Sequence, residues 1–175
     1  DSIKSIKSLF STYIIVAQRR EITMEASFQK KLNDVYDQLG ASRKMVLATS
    51  LQDHVTARTM SVIICNGRFY FQTDRTFRKY RQLAGNANVA LCYDNVQVEG
   101  VCREVGAPMD DSAFCEAFKA AFPGSFHAYT ALSNERFFEV VPVVIQRWLY
   151  EDGKPFVEQF DLPTEAYCKE EYVGE

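Results

Sequence analysis

Four cations, Arg75, Arg78, Lys79 and Arg81, crowd just past the aromatic run FYFQTD, and a fifth, Arg58, lies upstream in TARTMSVII. A cluster of this kind has one direct use in chemistry, which is to hold a small anion. A guanidinium forks two phosphate oxygens and an ammonium adds a point charge. The helix expected from about Thr76 to Ala84 would contribute free backbone N–H groups and the positive end of its dipole. Taken alone, the same run reads first as the solvated face of a surface helix, since charge runs usually face water. The whole chain is acidic, with a formal net charge of −3 over 175 residues. Nucleic acid is therefore not an expected partner, because neutralising its phosphates takes a dominant basic face.

Other chemistries have little to stand on. The two histidines fall in loop-like sequence, His54 in LQDHVT and His127 after Pro123-Gly124-Ser125. Neither belongs to a Ser-His-Asp or Cys-His nucleophile pattern. The five cysteines, Cys65, Cys92, Cys102, Cys115 and Cys168, form no CxxC pair and lack zinc-like spacing to histidine. A cytoplasmic protein with reduced thiols and no metal is the expectation. No apolar run reaches the length of a membrane span, so no membrane partner is expected either.

The elements that must position the cations follow from periodicity. Residues 1–23 carry a helical spacing of Ile3, Ile6, Phe10 and Ala17 and read as a helical N-terminal extension; either Met24 is the start of the native chain or the segment is an ordinary packing helix. From Met24 a second helical face runs through Phe28, Leu32, Val35 and Leu39, with Thr23 as cap and Gly40 as stop. The pattern then changes to period two in KMVLATS, TARTMSVIIC and RFYFQT. Asn66-Gly67 between the last two predicts a tight hairpin, since both central residues of a type I′ turn need positive φ. Pairing across that hairpin would bring Arg58 roughly opposite Thr73.

Further strands are expected at Val89 to Tyr93, Gln97 to Val105, Val140 to Tyr150 and Pro155 to Phe160, the last two joined by EDGK. A helix is expected over PMDDSAFCEAFKAAF, ended by Pro123-Gly124, with Phe114, Phe118, Phe122 and Phe126 packing on the barrel. Six or seven strands with inserted helices indicate an α+β fold, a single domain over 24–175 built on a small antiparallel β-barrel. Trp148 and Tyr150 share one strand face and Arg147 the other; these are core packing, or the border of a ligand site.

In order, ARTMSVI, NGRFYFQTD, RTFRKYRQLAGNANVAL and NVQVEGVCREV resemble the FMN-binding split-barrel family related to pyridoxamine 5′-phosphate oxidase, over roughly Met45 to Val105. The resemblance implies an antiparallel split β-barrel with flanking helices, and a homodimer with FMN sites at the interface. It places Arg58, Thr73, Arg78 and Lys79 at the FMN phosphate. The strand segment Thr59, Met60, Ser61 and Val62 would line the isoalloxazine ring, and Gln97 would approach its polar edge. Two departures stand out. Phe77 replaces a serine before the Arg-Lys pair, leaving Thr76 as the candidate substitute, and VIQRWLYEDGK lacks the R-L-H-D-R type ending that holds pyridoxamine phosphate.

The implied function is an FMN-dependent oxidoreductase acting on a small-molecule redox substrate, but not a true pyridoxamine phosphate oxidase. Such chemistry needs no protein nucleophile, because the cofactor carries the electrons. Alternatives are a non-catalytic flavin-binding or redox-sensing module, or a split barrel that binds haem or a deazaflavin. Haem is the weaker of these, with only two histidines to offer as axial ligands.

Overall fold

A computed structural model describes residues 25–174. The chain divides into two compact units, with the boundary between Asp34 and Val35. The extension expected over 1–23 and its cap Thr23 lie outside the described residues. Residues 25–39 form helix α1. Phe28 and Leu32 are buried in the first unit, and Val35 and Leu39 in the second. The helix stops at Gly40, whose φ of 73° is costly for any residue with a Cβ, and whose N–H reaches the Tyr36 carbonyl at 2.8 Å.

Eight strands follow: β1 (Ser42–Leu51), β2 (His54–Cys65), β3 (Arg68–Asp74), β4 (Asn88–Tyr93), β5 (Val96–Gly106), β6 (Glu135–Glu151), β7 (Lys154–Asp161) and β8 (Ala166–Glu171). Helix α2 (Arg78–Gly85) joins β3 to β4, and α3 (Ser112–Ala121) and α4 (Pro123–Tyr129) join β5 to β6. The strands run in the order β3-β2-β1-β4-β5-β6-β7-β8, and β3 also pairs with β6. That extra pairing closes six strands into an antiparallel barrel and leaves β7 and β8 as an extension of β6.

The expected Asn66-Gly67 turn is present, with φ of 50° and 72°. Gln52-Asp53 makes a second turn of the same kind, at 48° and 62°, so His54 begins β2 instead of lying in the loop. Two further differences from expectation have clear causes. The strand expected from Val140 starts at Glu135, and a strand at Ala166–Glu171 raises the count to eight. Over residues 137–140 both faces of β6 are buried, so period two is lost. Phe137 points out to Phe114 and Phe118 of α3, while Phe138 points into the barrel and stacks on Phe71 at 5.5 Å. In β8 the signal is weak because the strand is an exposed edge.

The helix expected over 108–122 is divided. A 3₁₀ turn occupies Pro108–Asp110, and Asp111 then caps α3 by accepting the Phe114 N–H at 2.8 Å. Pro123 ends α3 but also starts α4, because its fixed φ suits a first helical position and its missing N–H costs nothing there. His127 is consequently on a helix. Phe114 and Phe118 are buried as expected, and Phe122 and Phe126 pack partly buried beside them. Among the described residues no helix is long and apolar enough to cross a membrane.

Candidate functional site

The β2–β3 hairpin is shorter than its strands. Pairing runs from Cys65↔Arg68 only to Ile63↔Tyr70. Beyond that point β2 stays with β1, Arg58 opposite Leu47, while β3 turns to β6, Thr73 opposite Arg136. Arg58 and Thr73 therefore do not face each other across a ladder, as simple hairpin pairing would have it; the strands splay apart. The gap is a cavity of about 450 Å³, within the range of small-molecule sites. Thr59, Met60 and Ser61 of β2 form one wall, and Gln72, Thr73 and Asp74 of β3 the other. Phe77 and Lys79 close the end at α2.

Lys79 lines that end of the cavity, and Arg58 and Arg78 lie near it without lining it. The Arg58 guanidinium donates to the Leu47 carbonyl at 3.2 Å, to Thr49 Oγ1 at 2.7 Å, and to Thr56 Oγ1. Gln82 of α2 accepts from the same two threonine hydroxyls at 2.8 Å, so a neutral polar cluster fixes the arginine without neutralising it. Burial and the nearby Arg78 lower the Arg58 pKa. Burial and Arg58 likewise lower that of Lys79, against the opposing pull of the Glu135 and Asp74 carboxylates, and its ammonium sits 4.4 Å over the Phe77 ring. Among the described ion pairs none involves Arg58, Arg78 or Lys79. The first turn of α2 contains no acidic residue, and its N-cap, Phe77, offers no side-chain acceptor. Arg78 depresses Arg58 and Arg58 depresses Lys79, beside an uncapped helix start, an arrangement that suits an anion.

Thr73 adds an independent observation. Its Oγ1 is buried without a hydrogen-bond partner, the only such side-chain oxygen or nitrogen among the described residues. A buried orphan hydroxyl costs about 1–3 kcal/mol, a cost that a bound acceptor would remove. Thr76, the candidate stand-in for a missing serine, is turned away from this task. Its N–H and its hydroxyl both donate to Asp74 Oδ1 at 2.7 Å and hold the Asp74 carboxyl below the usual range.

The other expected residues divide. Ser61 accepts from Lys44 Nζ at 2.6 Å at the cavity edge, whereas the Val62 side chain is fully buried away from it. Gln97 is not at this cavity. It projects from β5 on the outer face of the sheet, donates to Glu99 at 2.9 Å, and lines a separate cleft of about 450 Å³ with Ala48, Ala90 and Val101. Trp148 is half-buried and contacts Tyr150 and Tyr172, while Arg147 is paired with Glu158 at 2.6 Å.

One residue of the cavity had no signal in sequence. Glu135, the first residue of β6, is 5% exposed and lines the floor. Burial, reinforced by the Asp74 charge, pushes its carboxyl up to about 7 against the opposing pull of Lys79 and a Gln72 hydrogen bond. A glutamate at the head of an apolar run matches no motif; only the β3–β6 register, which places it opposite Asp74, reveals it. Among the described residues no group of three His, Cys, Asp or Glu side chains could hold a metal ion.

The family model described as pyridoxamine 5′-phosphate oxidase matches residues 29–149. No curated protein matches the sequence. Among solved structures the chain is similar to PhzG from Burkholderia lata 383 in complex with tetrahydrophenazine-1-carboxylic acid. There the TM-score is 0.55 at 14% identity, over 85% of this chain and 92% of that one. It is also similar to an F420 reductase, with TM-score 0.51, 20% identity, and coverage of 63% and 94%. A third is HutZ, the haem storage protein from Vibrio cholerae, with TM-score 0.50, 15% identity, and coverage of 64% and 88%. At these identities the structures speak for the fold alone. With the family model spanning well over half of the sequence, the chain belongs to the pyridoxamine 5′-phosphate oxidase family.

Proposed function

We propose that this protein binds FMN in the gap between β2 and β3 and works as a flavin-dependent oxidoreductase on a small-molecule redox substrate. The observation that carries this reading is the cation cluster of Arg58, Arg78 and Lys79, none of them in an ion pair among the described residues, near the orphaned Thr73 hydroxyl. The two guanidinium groups and the ammonium would hold the phosphate, and Thr73 would donate to it. The Thr59–Met60–Ser61 strand edge, released from pairing with β3, offers backbone donors and acceptors to a planar ring. Bound FMN supplies hydride and electron transfer, and the chain supplies binding, orientation and a dry pocket.

The partner in this reading is a second copy of the chain. Gln97 lies on an outer face rich in small and apolar residues, away from its own cavity, and a dimer through that face would bring it to the other subunit's ring. The segment VIQRWLYEDGK does not carry the R-L-H-D-R pattern, which speaks against pyridoxamine phosphate as the substrate.

The visible spectrum of freshly purified protein tests the cofactor. Twin flavin bands and heat-released FMN are expected, and Arg58→Ala with Lys79→Ala should abolish flavin retention. A colourless protein that also refuses added FMN removes this reading. A chromophore released as deazaflavin would keep the phosphate site and change the ring. A flavoprotein that neither nicotinamide nucleotides nor other small organic hydride donors bleach would speak for a binding module instead of an enzyme.

A further inference from the structure

We propose that Glu135 is the proton-holding group of the cavity, taking up one proton when a phosphate-bearing ring ligand enters and then presenting a carboxyl O–H on the cavity floor. This rests on the reading above that such a ligand occupies the gap. The geometry comes from the β3–β6 ladder. Glu135 opens β6 directly opposite Asp74, which ends β3, and side chains directly opposite in such a pair stand about 5 Å apart. Glu135 is buried and both line the same cavity. Two carboxylates so placed resist being ionised together.

Which of them holds the proton is decided by Thr76. Its two donors, at 2.7 Å, satisfy Asp74 as an anion, and Glu135 receives no comparable set. The groups facing Glu135 from the other elements are few. Lys79 of α2 favours the charged form, while Asp74 of β3 disfavours it. Gln72 of β3, fixed by the Thr130 hydroxyl at 3.0 Å, supplies one hydrogen bond. Lys44 of β1 and Tyr129 of α4 line the cavity farther along. Arg136, next on β6, is turned to Glu104 of β5 at 3.4 Å and to the carbonyls of Ser133 and Glu135.

Lys79 is thus the cation that keeps Glu135 charged, and it is also a cation assigned to the phosphate. An entering phosphate brings negative charge and engages Lys79, so the Glu135 carboxylate loses its support and takes a proton from solvent. By reciprocity, protonating Glu135 strengthens anion binding by the same factor. Affinity for the ligand should therefore fall as pH rises through neutrality, by at most about tenfold per pH unit for one coupled proton.

Calorimetric titration of the protein with FMN, in two buffers of different ionisation enthalpy slightly above neutral pH, reads the proton directly. Wild type should take up most of one proton, and Glu135→Gln should bind FMN with that uptake gone. Binding without uptake, or uptake that persists in Glu135→Gln, overturns the proposal and leaves the flavin reading intact. If FMN does not bind, the flavin reading falls, and carboxyl carbon NMR of the wild-type protein with inorganic pyrophosphate decides the matter. A Glu135 midpoint near neutrality that moves up with pyrophosphate upholds the coupling, while an ordinary or unmoved midpoint overturns it.

Discussion

A buried hydroxyl with nothing to bond is a cost that a folded protein carries for a reason, and Thr73 carries it at the cavity wall. Thr73→Val keeps the shape and removes the cost. The ligand-free variant should be as stable as wild type or more stable by about 1 kcal/mol in urea denaturation, while FMN dissociates at least about tenfold more readily. A clear loss of stability would mean the hydroxyl is already satisfied. Glu135 makes a second residue-scale prediction, with the opposite pH sense from most carboxylates. Its carboxyl is raised from 4.5 to about 7, so its stability contribution is full below about 4.5 and is lost as pH rises through about 7. The total loss is roughly 3 kcal/mol at most. Unfolding measured across that range should show Glu135→Gln matching wild type at the acid end and exceeding it at the alkaline end. At this scale the sequence announced the cations by their crowding, and Thr73 by the family pattern around it. Glu135 stayed hidden because its significance comes from the residue opposite, which only strand register assigns.

Elements were legible where one face meets the core and the other meets water. The alternation in β1, β2 and β5 shows this, as does the helical face of Phe114 and Phe118. They were illegible where both faces are covered, as at the start of β6, or where neither is, as in β8. Proline 123 misled for a different reason, since the same residue that stops one helix starts the next. Gly100 is an element-scale feature whose purpose the structure makes plain. It sits at the register shift between β5 and β6, and a Cβ there would lie 2.7 Å from both Val140 Cγ1 and the Val141 carbonyl oxygen. The side-chain atom could move but the ladder carbonyl could not move without parting the strands. Gly100→Ala should cost about 2 kcal/mol of unfolding free energy, mid-range for overpacking a tight contact. Denaturant titration showing no loss would mean that β5 and β6 can separate at the bulge.

The barrel as a whole explains why the cavity and Gln97 ended up on different faces. Closing six strands through the β3–β6 pairing requires β3 to leave β2, and that departure opens the gap which the cations overlook. Hairpin logic alone, extended from Asn66-Gly67, predicts continuous pairing and no gap, so the cavity is a property of closure and not of either strand. The outer face of β1, β4 and β5 is the other consequence. Val46 of β1 and Val101 of β5 are 41% and 44% exposed there, with Val141 of the adjoining β6 at 37%, near a cleft lined by Ala48, Ala90 and Val101 as well as Gln97 and Glu99, a largely apolar surface that a lone molecule would leave in water. A twofold contact between copies would cover it and carry Gln97 across to the other subunit's ring. Val101→Glu places a charge in the middle of that face without touching the cavity or the barrel interior. Light scattering should then show a monomer with unchanged secondary structure by circular dichroism, and flavin affinity should fall at least about tenfold with it. Loss of the dimer with full flavin affinity would confine the site to one chain and leave Gln97 outside it. A dimer that survives the charge would put the interface on another face.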